Sequence, residues 1–146
     1  MITLQIINDF DNQIKLSNSL IKEIVSNVIS SESKYINIDM TIIICNDEYL
    51  RNLKIKYFNM DILTDVITFN LSEDEKDLEA EIYISWERVN ENAKKYEQTI
   101  NNEMKRVIIH GCLHLVGFND SNKQETIYMR EKEQKYINSL GEDIII

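Results

Sequence analysis

Two histidines, His110 and His114, stand four residues apart in the segment His110-Gly111-Cys112-Leu113-His114-Leu115-Val116-Gly117-Phe118-Asn119-Asp120. On an α-helix this spacing leaves the side chains about 40° apart around the axis and one turn apart along it, so both imidazoles can offer a nitrogen to one ion. Gly117 permits a sharp exit from the helix, after which Asp120 can swing back with a carboxylate oxygen. Three such ligands suit one divalent cation, zinc first among them. They leave a fourth position open for water, the arrangement of a catalytic site. The spacing alone also fits two partly buried, hydrogen-bonded histidines. The wider pattern favours a metal, because the chain has no other histidine and an acid follows the glycine stop. A His-Glu-x-x-His peptidase would carry Glu directly after the first histidine; Gly111 takes that place, so a peptidase would need its general base from elsewhere.

The elements that must position these groups can be read from hydropathy. Residues 3–8 read as a first strand. Ile14, Leu16, Leu20, Ile21, Ile24, Val25 and Ile29 recur at helical spacing and predict a helix from Gln13 to Ile29. Residues 36–45 become continuously apolar, as in a largely buried strand. Asn46 can cap a helix with Leu50, Leu53 and Ile55 facing inward. Strands are expected at 65–71 and 81–85, with the acidic stretch 73–81 forming a solvated loop before the second. Ser85 caps a helix to about Glu97, Thr99 opens the helix that carries His110 and His114, and residues 121–140 form a last, highly charged helix. The order β-α-β-α-β-β-α-α-α predicts an α/β (α+β) fold, one mixed sheet of about four strands covered by about five helices, with residues 1–146 as a single metal-binding domain.

Composition narrows the setting. At 146 residues, 43% hydrophobic and without proline, the chain fits one core and offers no linker. No basic, apolar leader opens it, and no apolar stretch is long enough for a bilayer, so no membrane partner is expected. Cys45 and Cys112 lack a Cys-x-x-Cys partner and read as buried thiols in a reducing, cytoplasmic setting. A formal net charge of −9 argues against a non-specific nucleic-acid coat, though not against a local basic groove.

The histidine segment resembles the signature His-Gly-x-Leu-His-Leu-x-Gly-Tyr-Asp-His of the YbeY-type rRNA maturation factors, bacterial metal-dependent endoribonucleases. Thr64-Asp65-Val66-Ile67-Thr68-Phe69 is similar to the family block Thr-Asp-Val-Leu-Ser-Phe. Ala80-Glu81-Ile82-Tyr83-Ile84-Ser85 is similar to a third block, Gly-Asp-Ile followed by a short apolar strand and Ser. All three occur in family order, from about Asn46 to Asp120. Three positions depart from the family. Asp120 stands where it has a third histidine, Phe58 where a Tyr-Arg pair has its arginine, and Ala80-Glu81 where it has Gly-Asp.

The resemblance implies a zinc-dependent enzyme that cuts single-stranded RNA in 16S rRNA 3′-end maturation and ribosome quality control, with the ribosome or a ribosomal protein as partner and no role for DNA. It implies His110, His114 and Asp120 as metal ligands. Asp65 is then a candidate to orient water or a ligand histidine, against the plainer reading of a strand-start residue bonded to nearby backbone. Lys54 or Lys56 can stand in for the missing arginine, and Arg106 is a further candidate to line an RNA groove. Tyr57, Phe58 and Phe69 can stack on bases, although aromatic residues beside apolar runs more often belong to a core. A ribosome-associated binding factor with a structural metal remains the second reading.

Overall fold

The computed structural model describes residues 1–146. Four strands, β1 (Ile2–Asn8), β2 (Asn37–Cys45), β3 (Val66–Asn70) and β4 (Asp77–Ser85), form one sheet in the order β1-β2-β4-β3. β1, β2 and β4 run parallel, and β3 pairs antiparallel with β4 at the edge. The helices are α1 (Asn18–Glu32), α2 (Asp47–Phe58), α3 (Trp86–Lys95), α4 (Ile100–Leu115) and α5 (Lys123–Ser139). This is the mixed α/β architecture the sequence predicts. No helix is long and apolar enough to cross a membrane.

The period-two geometry of the strands sorts their side chains onto two faces. Ile38, Met40, Ile42 and Ile44 of β2 and Leu78, Ala80, Ile82 and Ile84 of β4 point to one face, where they form the main core with α1 and α4. On the other face only α2 covers part of the sheet, burying Leu50 against Cys45 and Ile67. α4 is the central helix; Met104, Val107, Ile108, Ile109, Cys112 and Leu113 on it are fully buried.

Gly111 explains how closely α4 lies on the sheet. A Cβ there would come within 3.2 Å of the Thr68 Cγ2 and 3.3 Å of Ile82. The position after His110 therefore faces the sheet and has no room for the glutamate of a peptidase helix.

Four expectations are corrected. The first helix begins at Asn18, not Gln13, because Asn8 organises the preceding turn by donating to the carbonyls of Asp11 and Ile14, and Ser17 caps the helix through Leu20 N–H. The acidic stretch is not all loop. β4 begins at Asp77, and its acids Glu79 and Glu81 alternate with Leu78 and Ala80, so the period-two pattern outweighs the charge. Ile55 faces solvent rather than the core, and α3 stops at Lys95, two residues before Glu97 adopts a positive φ of 54°. Cys45 and Cys112 are free and buried, and burial pushes both thiols up to about 12.

Candidate metal centre

Both histidines lie on the last turns of α4, and the turn that follows serves them twice. Gly117, at φ 103°, takes the left-handed conformation that ends the helix. Its N–H bonds back to the His114 carbonyl and that of Phe118 to Leu113, the paired bonds of a Schellman cap. The reversal carries Asp120 back over the helix end. It also brings the Phe118 carbonyl within 3.0 Å of His114 Nδ1.

The two Nε2 atoms face each other at 3.0 Å, and Asp120 Oδ2 lies 3.4 Å from that of His110 and 3.6 Å from that of His114. The partners on the far side of each ring fix the tautomers. His110 Nδ1 is 2.7 Å from Glu133 Oε2 and His114 Nδ1 faces a carbonyl; both partners only accept, so in the neutral rings each Nδ1 carries the hydrogen. Both Nε2 atoms then present lone pairs. Two lone pairs and a carboxylate converge with no hydrogen between them, a donor set that calls for a cation. The three separations put a point about 1.9 Å from all three atoms, against roughly 2.0–2.1 Å for a zinc–nitrogen bond, so an ion fits just outside their plane. The residues fit a single divalent metal, and His110, His114 and Asp120 form a possible site for it.

Burial, with His110 opposite, holds the His114 imidazole below its ordinary value, toward the neutral form that a metal ligand needs. Asp120 is 43% exposed, so the site opens to solvent on its side. Glu133, on α5, is 2% exposed. Its other oxygen lies 3.5 Å from Arg106 and 3.7 Å from Arg130. Arg106 in turn pairs with Glu103 at 2.7 Å and Asp65 at 3.0 Å. Burial opposes the Arg106 charge, but Glu103, Asp65 and Glu133 outweigh it and raise its pKa. A cleft of about 260 Å³ between α4 and α5 reaches Arg106 and Glu133 without touching the three converging groups.

A sequence profile described as endoribonuclease YbeY matches residues 6–141. The chain belongs to the YbeY endoribonuclease family. Curated YbeY endoribonucleases from Amoebophilus asiaticus and Karelsulcia muelleri are each 44% identical to it, over 87% and 75% of this chain and 86% and 77% of their own lengths. The solution structure of TM1509 from Thermotoga maritima superposes with a TM-score of 0.60 at 28% identity, covering 93% of this chain and 87% of that one. YbeY enzymes are hydrolases acting on RNA, and rRNA processing is the family's general role.

Against the YbeY blocks, the structure brings His110, His114 and Asp120 together and places the remaining candidates elsewhere. Asp65 reaches Arg106 and, at 3.5 Å, Asn92; its only route to a histidine runs through Arg106 and Glu133. Arg106 is enclosed by three carboxylates. Lys54 and Lys56 project from α2 on the other sheet face, with their ammonium groups 4.6 Å and 5.2 Å from the rings of Phe58 and Tyr57. Tyr57 and Phe58, read as more often core, are 56% and 44% exposed and pack on Phe69. Among the other cations of the matched region, Arg51 pairs with Asp61, Arg88 with Asp47, and Lys105 is buried against the Leu140 carbonyl.

Glu133 is the residue that sequence reasoning missed. Its signal was its place on the buried stripe Met129-Glu133-Tyr136, an acid where spacing calls for an apolar side chain.

Proposed function

We propose that residues 1–146 act as one zinc-dependent domain that cuts single-stranded RNA, with 16S rRNA 3′-end maturation and ribosome quality control in the cytoplasm as its setting. The observation that carries this reading is the convergence of His110 Nε2, His114 Nε2 and Asp120 Oδ2 within 3.0–3.6 Å of one another, in a chain of the YbeY family.

His110, His114 and Asp120 would hold the ion. Bound there, zinc supplies a water of lowered pKa and positive charge for the phosphate oxygens. The residues around it do the remaining work. Glu133 and the Phe118 carbonyl hold each ring with its Nδ1 hydrogen turned away from the site. The exposed Asp120 side leaves room for a phosphodiester to approach. Asp65 and Arg106 act at a distance, by fixing Glu133. Lys54 and Lys56 meet the RNA backbone, with Tyr57 and Phe58 offering faces for bases.

Pure protein incubated with short single-stranded and duplex RNA, with and without a chelator, tests the reading. Cleavage confined to the single strand, abolished by the chelator and by His114→Ala, is the expected result. A folded, zinc-loaded but inert protein would instead favour a ribosome-associated binding factor. Phe58 at the family's arginine position and the enclosure of Arg106 make that the second reading.

A further inference from the structure

We propose that Glu133 is a positioning residue for the metal centre, its buried carboxylate fixing the tautomer and aim of His110 and strengthening Nε2 as a ligand. The inference rests on the reading of His110, His114 and Asp120 as metal ligands.

The two histidines are held by unlike partners. His114 turns its Nδ1 hydrogen to a neutral carbonyl of its own helix end, while His110 turns its hydrogen to a carboxylate brought from α5, 23 residues away. Packing does not explain an acid at this place. Glu133 lies between Met129 and Tyr136 on the buried stripe of α5, where an apolar side chain would fill the space without the cost of desolvating a charge. The surroundings hold the acid in place. Arg106 and Arg130 flank Oε1, and Glu103 and Asp65 clamp Arg106, so Oε2 is left for the imidazole. A charged acceptor on Nδ1 makes the opposite nitrogen more basic, and loss of such an outer partner typically weakens metal binding by about 10–100-fold. This assigns Asp65 and Arg106 a part as well, as the outer members of a chain that ends on His110.

The test uses the full chain, wild type and Glu133→Gln. Glutamine keeps the size and one acceptor oxygen, which can still face the imidazole, while it removes the charge and turns the other oxygen into an amide donor. Zinc affinity is measured by competition with a chromogenic chelator, and the melting temperature of the zinc-free proteins is compared. Long-range proton–nitrogen spectra of zinc-free wild type at pH 8 report the His110 tautomer. The expected result is a His110 hydrogen on Nδ1, zinc binding weakened by about 10–100-fold in Glu133→Gln, and zinc-free melting temperatures within a few degrees of each other. Equal zinc affinity in the two proteins overturns the inference and leaves the metal reading standing; a His110 hydrogen on Nε2 overturns the inference, and zinc binding by wild type then decides the metal reading. Wild type that binds no zinc overturns both. If Glu133→Gln fails to fold, the wild-type spectra decide: hydrogen on Nδ1 supports the inference, and hydrogen on Nε2 overturns it.

Discussion

On the α4–α5 side of the sheet, charges are buried and matched partner to partner; on the α2 side, exposed rings with lysines beside them rest on half-buried Phe69 and Tyr83. Glu103, Arg106, Glu133 and His110 form a continuous set of short contacts beneath the converging Nε2 atoms. Across the sheet, Tyr57 and Phe58 lean on Phe69, whose ring meets Tyr83 edge-on, and Tyr83 stacks with Tyr49. The first arrangement admits little rearrangement, since each group is held by partners that would lose a buried bond. The second can be reshaped by rotation about side-chain torsions. The proposed ion site needs the former, and the proposed RNA surface tolerates the latter.

The sharpest way to break this contrast is Asp120→Ala, which removes one of three donors and leaves both α2 and the ion cluster untouched. Zinc affinity should fall by at least the ~100-fold typical of losing an outer partner, since Asp120 would be a direct ligand. Asp120→His, which installs the residue of the family signature, should restore it. Chelator competition reads both; affinity unchanged in Asp120→Ala would mean that the two histidines alone hold the ion.

A middle-sized effect is expected from Lys54→Ala with Lys56→Ala. RNA binding should weaken uniformly across sequences, and the slope of log affinity against log salt should fall by about 1 per lysine that contacts phosphate. Zinc affinity should stay at the wild-type value. A change in zinc binding would mean that the two sides are not independent.

The smallest effect concerns the anchor of α5. Burial pushes the Glu32 carboxyl up, but hydrogen bonds from Lys132 and Tyr136 outweigh it and hold it below its ordinary value. Its contribution is complete above the unfolded value of about 4.5 and is lost as pH falls through the lower folded value. The melting temperature of wild type should therefore drop more steeply between about pH 5 and pH 3 than that of Glu32→Gln. Equal slopes would show that Glu32 does not tie α5 to α1.

Most of the fold and the centre of the site were legible because they depend on local pattern. The spacing of His110 and His114, the stop at Gly117 and the acid three residues on are all properties of one short segment. The caps at Asn46, Ser85 and Thr99 are equally local, and each accepts the N–H that its position calls for. What could not be read is in part a local competition of side chain against helix and in part contacts between distant segments. Asn8 outweighs the helical spacing of Ile14 and Leu16 through two side-chain bonds, a competition that periodicity does not register. Glu133 looks like one more charge on a charged helix until α5 is laid across α4. Arg106 reads as a free cation for RNA until Asp65 arrives from the start of β3. For Glu133 and Arg106, charge alone misleads, and tertiary neighbours decide whether it faces water or is consumed inside.

α4 is at once the middle of the core and the bearer of two donors for the ion. Opening the core would scatter those donors, so occupancy of the site and integrity of the whole molecule must rise and fall together. Zinc at a hundred times its dissociation constant would deepen the folded well by about 2.7 kcal/mol. If the proposed zinc fills the site, a cell short of it would hold this protein in a form both idle and easier to degrade.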